Sequence, residues 1–118
     1  MKIIGTILIF VVAIEHLYFL YLEMFLWQKP YGRKTFGLSK EEAKTTATLA
    51  KNQGLYNGFL AAGLIYSIFA ADINVAYTMK IFFLICVIIA GIYGGITVKA
   101  KLAIIQSIPA AIALLLVL

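Results

Sequence analysis

The residues that usually build cross-links and soluble active sites are scarce in this chain. Cysteine occurs once, as Cys86, which excludes an intramolecular disulfide and any CxxC chemistry. Inside an apolar stretch it reads as a small packing residue. Histidine also occurs once, as His16, so a zinc site within one chain lacks ligands. The glycines fall inside apolar runs instead of after a strand, which leaves no Walker or dinucleotide fingerprint, and no serine stands with His16 in a recognisable triad. The expectation is therefore no metal and no cofactor. Only five residues are acidic, against ten Lys and Arg, and the resulting charge of +5 is modest. Its placement near apolar runs points to anionic lipid, not to nucleic acid.

What fills the chain instead is apolar: 64% of its 118 residues, with a mean hydropathy of +1.01. That lies far outside the range of a soluble domain and fits one domain in a lipid bilayer. Apolar windows at 3–27, 49–71, 75–98 and 102–118 predict four transmembrane helices, since a crossing needs about 20 residues. The last is short and requires tilt or local thinning of the bilayer. Short connections make the expected fold class an all-α membrane protein, a four-helix up-down bundle. Lys2 and the apolar run after it imitate a signal peptide, but the run continues to Trp27 without a convincing cleavage site, so it reads as a retained span.

One sizeable loop is expected at 28–48, where Pro30 and the stretch from Gly32 to Gly37 mark chain reversal. Within it, Ser39-Lys40-Glu41-Glu42 has the form of a capping box, so the second helix begins well before the membrane. Charge sets the orientation. Lys29, Arg33, Lys34, Lys40, Lys44, Lys51, Lys99 and Lys101 gather on one side, against Lys2, Lys80 and Asp72 on the other. By the positive-inside rule the 28–48 loop is cytoplasmic and both termini face outward, in a multi-pass protein of the cell membrane.

The most informative residues are Glu15 and His16, near the middle of the first span. Ionisable groups at that depth are costly unless they face a partner or a water-filled cavity, so they suggest a function. Glu23 lies seven residues after His16 and shares its helix face. The second span contributes Asn52, Gln53, Tyr56 and Asn57, spaced as i,i+4 pairs, beside a Gly54–Gly58 step that lets backbones approach. The third repeats the small-residue step with Gly91 and Gly95 and adds Tyr93. The fourth offers Gln106 shortly before Pro109, whose missing N–H frees a carbonyl. Under the expected topology these groups converge in the cytoplasmic half. Structural readings stand beside these: interhelical glue worth about 0.6 kcal/mol on average for Asn57 and Gln106, headgroup contact for Asn52 and Gln53, packing for Tyr56, and a self-satisfied pair for Glu15 with His16; Glu23 has the options of reaching the interface or pairing with Lys51.

The chain resembles a known family in the run Glu15-His16, Leu22-Glu23-Met24-Phe25 and Trp27, then Phe36-Gly37-Leu38. The resemblance continues through Asn52-Gln53-Gly54-Leu55-Tyr56-Asn57-Gly58 to Gly63, in Ala90-Gly91-Ile92-Tyr93-Gly94 and in Gln106-Ser107-Ile108-Pro109-Ala110. These residues are similar to those of the small bacterial membrane proteins grouped as domain of unknown function 1304. The resemblance implies a four-helix integral membrane protein and supplies no activity. A looser likeness, of architecture only, is to small multidrug-resistance transporters, which share the length, four spans and a glutamate in the first helix; the polar second span and the steep charge bias depart from that pattern.

The function expected is binding or transport of a small hydrophobic or cationic molecule. Glu15, His16 and Glu23 would handle charge or protons, and Asn52, Gln53, Tyr56, Asn57, Tyr93 and Gln106 would line the pocket. A homodimer would make a complete transport path easier to build. Two alternatives stay open: a membrane enzyme using Glu/His acid–base chemistry on a lipid-like substrate, and a structural or assembly subunit.

Overall fold

The computed structural model describes residues 2–118, and these are almost wholly helical. Five helices follow one another: α1 (Lys2–Phe25), α2 (Pro30–Phe36), α3 (Lys40–Phe69), α4 (Ile73–Thr97) and α5 (Ala100–Val117). The last is composite, with one α-turn, a π-helical segment at Ala103–Ser107 and an α-helical stretch at Ile108–Val117.

Local chemistry explains the boundaries. The 28–48 connection is not a simple loop, because Pro30 begins a helix there instead of interrupting one. Proline fits the first turn, where its missing N–H costs nothing and its φ is already helical. Gly37 closes α2 at φ 66°, a left-handed conformation that glycine adopts without penalty. The expected capping box starts α3: Ser39 Oγ accepts from the Glu42 N–H at 3.1 Å, and Glu42 Oε1 accepts from the Ser39 N–H at 2.9 Å. Asp72, expected only as an outer-side charge, caps α4 by accepting from the N–H groups of Asn74 and Val75.

Three helices among the described residues are long and apolar enough to cross a membrane: α1, α4 and α5. Only 22–28% of those stretches is buried within the protein. Side chains such as Ile3, Phe69, Ile73 and Ile96 are more than 70% exposed, a surface that lipid tolerates and water does not. At 30 residues α3 is the longest helix; Asn52, Gln53 and Asn57 make it the more polar one.

The chain divides into two compact units, residues 1–14 with 60–118 and residues 15–59, with α1 and α3 running through both. The first unit holds the apolar core, in which Ile9, Val12, Ala13, Leu64, Leu84, Val87, Ala110 and Ala113 come together from α1, α3, α4 and α5. Alanines in such positions bring helix backbones close. In lipid that matters more than buried area, because the helices gain from packing and hydrogen bonds and not from escaping water. Closest are α4 and the π segment of α5. A Cβ on Gly91 would stand 2.9 Å from Gln106 Cβ and 3.0 Å from the Ser107 nitrogen. The wider π turn leaves the consecutive residues Gln106 and Ser107 both buried, although neighbours on an ordinary helix point about 100° apart. Ser107 Oγ donates to the Ile88 carbonyl at 2.9 Å.

In the second unit, α1 and α3 approach where α3 carries glycine. A Cβ on Gly54 would meet Met24 Cγ at 2.6 Å and the Leu20 carbonyl oxygen at 3.2 Å, and one on Gly58 would meet Leu20 Cδ1 at 2.7 Å. The small-residue step read from the sequence is thus used for packing within the chain.

Candidate functional site

The polar groups of the second unit hang on this close approach. Glu15 and His16 lie about 15 Å along α1 from its end at Phe25, near the middle of a helix about 36 Å long. His16 is fully buried, with its ring edge-on to Phe19 at 5.4 Å between centroids. Its burial follows from sharing a helix face with Ile9, Val12 and Ala13, which are also closed off. Glu15 points away from it and is half-buried. Its Oε1 is enclosed and accepts no hydrogen bond among the described residues. A buried acceptor left in that state costs about 1–3 kcal/mol, more if it is charged.

Glu23 is on the face of α1 that meets α3. Asn57 is buried there, and its Nδ2 donates to Glu23 Oε1 at 2.5 Å. Glu23 is thus paired with Asn57 and, among the described residues, not with Lys51. Asn57 can reach it because Gly54 and Gly58, on the same side of α3, hold no side chain between the helices.

The remaining residues singled out in the sequence are distributed differently. Asn52, Gln53 and Tyr56 lie on the exposed side of α3, and Asn52 Nδ2 returns to the Thr48 carbonyl of its own helix at 3.2 Å. The i,i+4 pair Gln53 and Asn57 does not form one inward face, since Asn57 is buried and Gln53 is not. Tyr93 is 69% exposed on α4. Gln106 is buried in the first unit, in the π segment. Of the nine, Glu15, His16, Glu23 and Asn57 are enclosed or half-enclosed groups of one unit, with Glu23 and Asn57 in direct contact.

Near the end of α1 the structure adds contacts that sequence reading missed. Trp27 Nε1 donates to Thr46 Oγ1 at 3.0 Å, and its ring packs on Phe36 at 4.8 Å. The hydroxyls of Tyr18 and Tyr31 share a hydrogen bond. Periodicity gives no signal for such pairs, because each joins a helix to residues beyond a turn. Chemically, a carboxyl with a free enclosed oxygen, an imidazole and an amide-bound carboxyl can hold a cation or exchange protons.

Comparison with known proteins places these residues in context. The family described as "Protein of unknown function (DUF1304)" matches residues 10–118. The "Uncharacterized protein YpaA" of Lactococcus lactis subsp. lactis (strain IL1403) is 36% identical over 117 residues, covering 98% of this chain and 97% of that protein. No solved structure matches.

Proposed function

Since the chain belongs to the DUF1304 family of unknown function, we propose its role from its own residues: it binds, and in a membrane moves, a small cationic or polar-headed hydrophobic molecule. In this reading α3 crosses the bilayer beside α1, α4 and α5, giving an up-down bundle of four spans. The connection around α2 is cytoplasmic and both termini are outside. The carrying observation is the enclosed Glu15 oxygen that accepts no hydrogen bond. Its cost falls when a cation arrives, and it lies one helix position from buried His16. Glu23, held by Asn57, would be the second carboxyl met on the way toward the basic side. The exposed polar residues Asn52, Gln53, Tyr56 and Tyr93 would serve the approach of the ligand or a second copy of the chain.

The test is a thermal-shift screen of the detergent-purified protein with quaternary amines and other organic cations, beside a Glu15→Gln variant. The expected result is stabilisation by hydrophobic cations that disappears in Glu15→Gln. If no cation stabilises the protein and Glu15→Gln simply melts at a different temperature, Glu15 and His16 are structural and the reading fails.

A further inference from the structure

A basic cleft lies in the second unit at the end of α1. A cleft of about 390 Å³ opens there between Met24, Phe25, Trp27 and Lys29 on one side and Ala47 and Lys51 on the other. Its wall combines Met24, Phe25, Trp27 and Ala47 with Gln28 and two lysines, and none of its lining residues is acidic. Trp27 is fixed from two directions, by its bond to Thr46 and its packing on Phe36. Gln28 also lines the cleft, and its carbonyl accepts from Arg33 Nε at 3.3 Å. Lys29 and Lys51 are exposed and, among the described residues, unpaired. The nearest acidic side chain along α1, Glu23, is occupied by Asn57.

Position gives these groups a meaning. The apolar helix α1 ends at Phe25, so the cleft falls where a bilayer places its phosphates, with a tryptophan and lysines of the type found at that level. The negative end of the α1 dipole opposes an anion with about half a charge, which the full positive charges of Lys29 and Lys51 outweigh. Beside the cleft, Phe25 and Tyr21 are exposed and pack on each other at 6.1 Å, an apolar track leading back along the helix. We propose that this cleft binds the phosphate of an anionic phospholipid, with Lys29 and Lys51 facing the phosphate and an acyl chain lying along Phe25 and Tyr21. The site is independent of the cation site around Glu15.

Trp27 is the single tryptophan and lines the cleft, so it reports occupancy directly. The full chain is reconstituted in phosphatidylcholine vesicles containing a little nitroxide-labelled phosphatidylglycerol or, separately, nitroxide-labelled phosphatidylcholine. Preferential quenching of Trp27 by the phosphatidylglycerol is expected. A juxtamembrane lysine contributes about a fivefold preference, so Lys29→Gln/Lys51→Gln should lower the relative affinity roughly 25-fold. Lys29→Arg/Lys51→Arg should keep the preference, and so should Lys99→Gln/Lys101→Gln, which removes equal charge elsewhere. Equal quenching by both lipids overturns the proposal, as does an unchanged preference in Lys29→Gln/Lys51→Gln. An equal loss in Lys99→Gln/Lys101→Gln would mean diffuse attraction, and displacement of the lipid by inorganic phosphate would mean a soluble ligand; either also overturns it.

Discussion

Asn57 reaches Glu23 across 34 positions of sequence, and the amide hydrogen bond between them joins the two long helices of the second unit. The pair has a direct energetic test. Asn57→Ala strips a half-buried carboxyl of its donor, whereas Glu23→Gln keeps an acceptor in place. In membranes such contacts couple by about 0.6 kcal/mol on average and up to about 1.7. A double-mutant cycle on Glu23→Ala and Asn57→Ala should give a coupling near the upper end, read from unfolding in detergent. Additive single effects would mean that the bond does not hold α1 to α3.

Gly91 and Gly94 are three residues apart on α4 and should behave oppositely. A methyl at Gly91 runs into the backbone of the π segment, which cannot rotate aside, so Gly91→Ala should destabilise by about 1–3 kcal/mol. At Gly94 the added methyl meets only the Leu102 side chain, at 3.4 Å from Cδ1 and 3.7 Å from Cβ. Gly94→Ala should change stability by less than about 1 kcal/mol, with a gain favoured by helix propensity. Thermal unfolding of the two variants side by side settles the order.

Glu42 carries a pH signature. Hydrogen bonds from the Ser39 backbone and hydroxyl hold its carboxyl below the usual value of 4.5. The stabilisation is thus fully present above that value and is lost as pH falls through the lower, folded one. Following the Glu42 carboxyl by NMR should give a midpoint under 4.5, and Ser39→Ala, which keeps the backbone N–H and removes the hydroxyl, should raise it part of the way. An unshifted midpoint in the wild type would mean that the cap is open in solution.

Trp27 should lose its fixed environment when its acceptor is removed. Thr46→Val keeps the shape and deletes the oxygen that receives the indole N–H. The expected changes are lower fluorescence anisotropy and a stability loss of about 1 kcal/mol. Unchanged anisotropy would show that Phe36 alone holds the ring.

Much of the helical framework was legible because apolar runs and caps are local. The capping box needed only Ser39 and Glu42, and the candidate spans α1, α4 and α5 needed only length and hydropathy. The short helix α2 was not legible, because Pro30 marks a chain reversal and a helix start alike until Gly37 supplies the end. The polar residues were harder. Spacing correctly put Asn52 and Tyr56 on one face of α3, but it could not say that this face is turned outward, nor separate Gln53 from Asn57. That choice is made by where Gly54 and Gly58 admit α1, a tertiary fact. The π turn was equally invisible, since only Pro109 hinted that the α-helical pattern must change.

That π turn bears on how the chain can be lengthened or shortened. It takes up roughly one residue more than an α-helical path would need, and so shifts the phase between Ala100–Leu102 and Ile108–Val117. Removing one residue from 103–107 could restore plain α-helix without rotating either flank. The same deletion within α3 would turn every later side chain by about 100° and carry Asn57 away from Glu23. Gaps in aligned relatives should therefore be tolerated in the first place and resisted in the second.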